Sequence, residues 1–171
     1  MNSDVKPFIR MAVAADAAEI AALRVRAAND LTQRFGKGFW SSAATEGGVL
    51  QAMKQGKVLI ATKAGTVAGT LALSTRKPWA IDAACFTRVK TPIYLTSMAV
   101  DPELQRQNIG RGMLAVAEDM ARSWPGQAIR LDAFDAEAGA GEFYEKCGYK
   151  ERGRAVFRSV PLIYYERLLA A

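Results

Sequence analysis

Two stretches of the chain carry residues whose types and spacing could do chemistry. The first is Gln105-Arg106-Gln107-Asn108-Ile109-Gly110-Arg111-Gly112, between an apolar run and a segment of helical period. The first turn of a helix has N–H groups without intrahelical partners, and its dipole favours negative charge there. Gly110 and Gly112 let a ligand approach the backbone, and Arg106 and Arg111 add positive charge, so the ligand this turn suits is phosphate. It is neither a Walker A loop, which ends in Gly-Lys-Ser/Thr, nor the GxGxxG of a dinucleotide fold. Two glycines before a helix can equally serve packing alone. The second stretch is Phe143-Tyr144-Glu145-Lys146-Cys147-Gly148-Tyr149, which offers a phenol at Tyr144. The chain has no histidine. Ser-His-Asp and Cys-His nucleophilic machinery is thereby excluded, and proton transfer falls to Tyr, Asp, Glu, Lys, Cys, backbone or water.

Elements that could position these groups follow from periodicity. Phe8–Val13 alternates as a strand, and Asp16 stands as N-cap to a helix over Ala17–Asn29, with Ile20, Leu23, Ala27 and Leu31 as its buried stripe. Leu31–Ser42 is irregular, and a second helix spans Ala44–Gln55 before Gly56. Lys57–Ala61 and Thr66–Ser74 form a hairpin across Lys63-Ala64-Gly65. Thr75–Pro92 has no clear period and reads as a loop or a distorted extension of the hairpin, and Ile93–Val100 is a strand ended by Asp101-Pro102. A helix over Gln107–Ser123 presents Ile109, Met113, Val116 and Met120, and Trp124-Pro125-Gly126 stops it. Ala128–Phe134 is a strand, and Ala138–Lys146 a short helix with Ala140, Phe143, Tyr144 and Cys147 on one face. Strands near Tyr149–Arg154 and Val160–Leu168 close the chain. The order β-α-α-β-β-β-α-β-α-β-β predicts one α/β domain over residues 1–171, a mixed sheet with helices on both faces. The strand–helix–strand unit from Ile93 to Phe134 is expected to be a right-handed crossover between parallel strands.

Composition narrows the function classes. At 171 residues and 50% hydrophobic content the chain can build a core. It has no apolar run of bilayer length, and its first residues lack a signal-peptide pattern, so no membrane partner and a cytoplasmic location are expected. Cys85 and Cys147 fit neither a disulfide framework nor a metal site, and no metal is expected. The net charge of +6 comes from scattered basic residues, which speaks against nucleic acid but suits a polyanionic small molecule.

Met98-Ala99-Val100-Asp101-Pro102, followed by Gln105-Arg106-Gln107-Asn108-Ile109-Gly110, resembles the signature of the GNAT superfamily of acyl-CoA-dependent N-acyltransferases. In that family a strand ending hydrophobic-Ala-Val-x-Pro leads to Gln/Arg-x-x-Gly-x-Gly/Ala. One position departs: Asn108 stands at the usual first glycine, and Asn tolerates the left-handed backbone region better than other side chains. Phe143–Tyr149 resembles the family's Tyr-Glu-Lys-x-Gly-Phe/Tyr segment, and Arg10–Ile20 its opening strand and helix.

The resemblance implies a GNAT-like fold and acetyl-CoA as co-substrate. It implies that the diphosphate meets the turn formed by Gln105, Arg106, Gln107, Asn108, Ile109, Gly110, Arg111 and Gly112, and that the pantetheine arm pairs with Met98, Ala99 and Val100. A primary amine then attacks the thioester directly, with Tyr144 beside the sulfur as general acid or hydrogen-bond donor. The carboxylate that some members carry before the turn is missing, since Thr96 and Ser97 stand there; a water relay at Ser97, or Asp132 or Asp82 as base, remains open. Glu137 stands where the family often has Asn, and that role is not carried over. Phe35, Trp40, Trp79, Asp82 and Phe86 lie in the family's variable regions and could wall the acceptor pocket, or be local staples. The acceptor class is a small-molecule amine, an amino acid or a protein N-terminus, and a homodimer is left open. The alternative is a non-catalytic acyl-CoA-binding or regulatory module on the same fold.

Overall fold

The computed structural model describes residues 5–42 and 44–170. Its elements are β1 (Phe8–Met11), α1 (Ala17–Phe35), α2 (Glu46–Gln55), β2 (Lys57–Lys63), β3 (Thr66–Ser74), β4 (Pro92–Val100), α3 (Ile109–Ser123), β5 (Ala128–Phe134), α4 (Gly141–Lys146), β6 (Lys150–Phe157) and β7 (Val160–Leu168), with short 3-10 turns between some of them. The strands form a mixed seven-stranded sheet in the order β1-β2-β3-β4-β5-β7-β6. The expected α/β class and element order are thus observed.

The chain divides into two compact units, Met1–Ala72 with Ser97–Ala117, and Leu73–Thr96 with Glu118–Ala171. In the first, β1 runs antiparallel to β2, with Phe8 opposite Thr62 and Met11 opposite Leu59. The hairpin between β2 and β3 is tighter than its sequence suggests, because Lys63 stays in the strand and only Ala64 and Gly65 turn. Both have positive φ, 50° and 82°, which matches the twist of the flanking strands. Ile20, Leu23, Val49, Val58, Ile60 and Val67 fill the core of this unit.

Helix α1 begins at Ala17 as expected but runs past its expected end. It runs to Phe35, because nothing from Leu31 to Phe35 breaks a helix until Gly36, at φ 83°, turns the chain left-handed and its N–H bonds Thr32 O. Ala28 is buried in the stripe instead of Ala27 and Leu31. Asp16 does not cap α1 with its side chain. Its carboxylate accepts the Val13 N–H at 2.7 Å and pairs with Arg10 at 2.8 Å, so it closes the turn before the helix. The Arg10 hydrogen bond accordingly holds Asp16 below the usual carboxylate range. For α2 the start falls at Glu46, since Thr45 Oγ1 accepts the Gly48 N–H at 3.1 Å and is the true N-cap.

In the second unit β4 and β5 are parallel, Pro92 opposite Ala128 and Tyr94 opposite Arg130, as the crossover unit requires. β5 pairs antiparallel with β7 along its whole length, and β7 with β6. β6 is longer than expected and reaches Phe157, where Arg158 and Ser159 take positive φ values of 49° and 68°. That turn has no glycine to announce it. Ile81, Phe86, Tyr94, Leu162 and Tyr164 form a second core. Residues 75–91 are a loop with one 3-10 turn, Ala83–Cys85, as the missing period implied.

Candidate functional site

The phosphate-suited turn belongs to the first unit and is built from its framework. Within β4, Ser97 is exposed and takes a φ of 57°, unusual inside a strand. Half-buried Met98, Ala99 and Val100 follow. The Asp101 N–H bonds Ala68 O of β3 at 2.8 Å, its Oδ1 accepts the Glu103 N–H at 3.0 Å, and Arg26 of α1 pairs with its Oδ2 at 2.9 Å. The end of β4 is thereby fixed from three directions. Gln105 Nε2 reaches back to Val100 O at 3.4 Å.

Beyond this anchor the backbone recurves. Arg106 and Asn108 both sit at φ 62°, in the left-handed region that side chains other than glycine occupy at a cost of about 1–3 kcal/mol unless the setting favours it. Asn108 therefore adopts the conformation for which glycine is ordinarily needed. Helix α3 starts at Ile109, two residues later than periodicity suggests, and its first backbone bond is Gly112 N–H to Asn108 O at 3.0 Å. The amides of residues 109–111 precede that bond and have no helical acceptor behind them. Ile109 and Met113 are buried with Leu114 and Ala117, whereas Val116 and Met120 are only half-buried. Gly69 of β3 makes the seat for this helix: a Cβ there would lie 2.7 Å from Met113 Sδ.

Gln105, Arg106, Gln107, Asn108 and Arg111 are exposed around these amides. No acidic residue stands in the first turn of α3, and among the described residues neither Arg106 nor Arg111 forms an ion pair. Free helical N–H groups with two uncompensated guanidiniums are a donor set for a polyanion, and they fit the diphosphate of coenzyme A.

The second unit holds Tyr144 and Asp132. Tyr144, on α4, is 6% exposed, and its ring lies 5.3 Å from Phe143, 5.7 Å from Tyr149 and 6.2 Å from Tyr165. Burial pushes its phenol well above the ordinary value, and the charge of Asp132 pushes the same way. Asp132, on β5, is half-buried, and burial raises its own pKa. Cys147 sits half-buried after α4, while Ala140, expected on the buried face, is exposed because the helix begins only at Gly141. Gly141 has to be small: a Cβ there would lie 2.5 Å from the Tyr165 hydroxyl.

The residues expected to wall an acceptor pocket have local partners. Arg34 lies 4.9 Å over the Phe35 ring, and Trp40 Nε1 donates to Gly36 O at 2.9 Å with its ring covering Gly38. Asp82 is exposed and caps the 3-10 turn by accepting the Ala84 N–H at 3.0 Å. Phe86 is core, 5.4 Å from the Tyr164 ring and 4.9 Å beneath the Arg130 guanidinium. Trp79, by contrast, is 86% exposed.

The model of the acetyltransferase (GNAT) family matches residues 25–149, which include both the turn and Tyr144. The chain belongs to this family. Solved structures of similar fold include an acetyltransferase of the GNAT family from Listeria monocytogenes (TM-score 0.76, 19% identity, covering 99% of this chain and 98% of that one). The ribosomal-protein-S18-alanine N-acetyltransferase of Escherichia coli gives TM-score 0.71 at 16% identity, with 97% and 96% covered. yncA of Salmonella typhimurium, solved with its cofactor acetyl-CoA, gives 0.68 at 16% identity, with 96% and 94% covered. At such identities the likeness is one of fold. No curated protein matches the chain. This GNAT chain has, among its described residues, no helix long and apolar enough to cross a membrane and no cluster of three metal-ligating side chains.

Two groups escaped sequence reasoning. Glu166 and Arg130 are buried at 1% and 4% exposure and paired at 3.0 Å, with Arg152 3.1 Å from the other carboxylate oxygen and the Thr87 N–H also donating to it. This network fastens the long loop to β5 and β7, and charges on strands give no periodic signal of it. The other is Lys63, whose Nζ donates to Gln107 Oε1 at 2.6 Å; assigning it to the hairpin turn hid its place beside the phosphate-suited turn.

Proposed function

We propose that this chain moves an acetyl group from acetyl-CoA to a primary amine, of a small molecule, an amino acid or a protein N-terminus, by direct attack on the thioester. The observation that carries the reading is the turn before α3: left-handed Arg106 and Asn108 lead into an acid-free helix start flanked by exposed Arg106 and Arg111, inside the region the GNAT model matches. When bound, acetyl-CoA supplies the activated acyl group. Arg106, Arg111 and the amides of Ile109, Gly110 and Arg111 hold its diphosphate, Gln105, Gln107, Asn108 and Gly112 shape that turn, and Met98, Ala99 and Val100 offer backbone to its pantetheine arm.

Tyr144 donates a hydrogen bond to the sulfur as negative charge develops. A free thiol ionises near 8.5 and an ordinary phenol near 10, and burial raises Tyr144 further, so full proton transfer is uphill by more than about 2 kcal/mol. A neutral donor that persists to high pH is what that environment supports. Asp132 is the better-supported base, because its burial raises its affinity for the amine's proton while Asp82 is engaged as a cap. Ser97 serves the alternative route through water. Phe35, Trp40 and Trp79 remain candidate acceptor contacts. The test is release of free coenzyme A thiol from acetyl-CoA across a panel of amines, amino acids and N-terminal peptides. Acceptor-dependent release supports the reading; tight binding of acetyl-CoA with no release under any acceptor makes the chain a non-catalytic acyl-CoA-binding module.

A further inference from the structure

From its place on β2 we infer that Lys63 is a donor-recognition residue, a third cation of the phosphate turn supplied by the β2–β3 hairpin. The inference rests on the reading of that turn as the coenzyme A diphosphate site. An ammonium group carries three N–H donors, and the bond to Gln107 Oε1 at 2.6 Å occupies one of them. Among the described residues no carboxylate pairs with Lys63, so its charge is uncompensated where exposed Gln107 leads into the α3 start.

The framework holds it there. Lys63 closes β2 directly before the Ala64-Gly65 turn, and its carbonyl accepts the Thr66 hydroxyl at 3.0 Å, so the strand end does not fray. The lysine is half-buried, and its stem is fixed by the strand while its head reaches the turn. Pinning the Gln107 carbonyl keeps that acceptor turned toward the ammonium instead of toward an incoming anion. Lys63 therefore acts twice: it adds positive charge and it removes a competing acceptor from the phosphate's surroundings.

Three proteins decide the matter by calorimetric titration of the full chain: wild type, Lys63→Met and Lys63→Arg. The probes are coenzyme A and S-acetylpantetheine, which has the thioester arm but no phosphate. Lys63→Met is expected to weaken coenzyme A by about tenfold at low salt, the loss shrinking toward unity near 1 M salt, with S-acetylpantetheine unaffected and Lys63→Arg close to wild type. Equal coenzyme A affinity in wild type and Lys63→Met overturns the inference while leaving the donor reading intact. A loss that is the same for both probes, or indifferent to salt, also overturns it by making Lys63 merely structural. Failure of the wild type to bind coenzyme A defeats the donor reading itself.

Discussion

Replacing Tyr144 by Phe removes one oxygen and leaves the ring among Phe143, Tyr149 and Tyr165. The ring contacts survive, so the variant is expected to fold and to bind acetyl-CoA with nearly unchanged affinity. The loss should appear in turnover. A hydrogen bond to a developing anion contributes about 1.5–3 kcal/mol, which converts to a fall in kcat of about 10- to 150-fold. A true general acid would have to give up its proton, and the burial that raises Tyr144 makes that harder still. The pH–rate profile separates the two: wild type should show no loss of activity from phenol ionisation below about pH 10, and the variant should have the same profile at a lower plateau. The assay is steady-state release of free thiol with saturating amine from pH 6 to 10, paired with the acetyl-CoA dissociation constant. A kcat within about twofold of wild type, or an alkaline limb that disappears with the hydroxyl, would refute the reasoning.

Asp132→Asn is expected to remove the acid limb of the rate profile. Because burial raises the Asp132 pKa in the folded state, ionising it weakens the fold as pH climbs from about 4 toward the raised value. The same variant should thus unfold at an equal or higher temperature near pH 7, an advantage that vanishes below about pH 4; calorimetry at both pH values checks this. Glu166→Ala strands Arg130 and should destabilise by about 3–5 kcal/mol in denaturant titrations, with the loop over residues 75–91 losing amide-exchange protection. Asn108→Gly should keep coenzyme A affinity within about threefold, whereas Asn108→Val, with a β-branched side chain at φ 62°, should weaken it by about tenfold or more. Isothermal titration of the two variants decides, and equal affinities would show that the left-handed turn is not required.

Legibility tracked the range of the interactions. Apolar period located every strand and helix in order, because each element turns its own stripe to a core. Ends were less readable where a tertiary bond overrides the local signal. Asp16 has the right residue type for an N-cap, yet Arg10 and the Val13 N–H claim its carboxylate. Asn108 was legible for a physical reason, since its tolerance of positive φ was what the turn demanded. Ser97, Arg106, Arg158 and Ser159 take the same region with nothing in their types to foretell it. The aromatics of the irregular segments were the least informative: Trp40 staples its own loop, Phe86 is core, and Trp79 stands in solvent. The Arg130–Glu166 network and the Lys63–Gln107 bond join residues 36 and 44 positions apart, which no window of periodicity spans.

The tyrosines around α4 and β7 have a consequence outside catalysis. Burial raises Tyr144, Tyr149, Tyr164 and Tyr165, the last to about 12, and the Tyr149 hydroxyl has no hydrogen-bond partner among the described residues. Each is therefore a proton held by the fold: in the unfolded chain these phenols ionise near 10, so stability present below that pH is withdrawn as alkali rises through it. In a chain with only five tyrosines and no histidine, ultraviolet absorbance of tyrosinate becomes a built-in optical gauge. Ionisation of these four phenols is delayed for as long as burial in the second unit holds their protons.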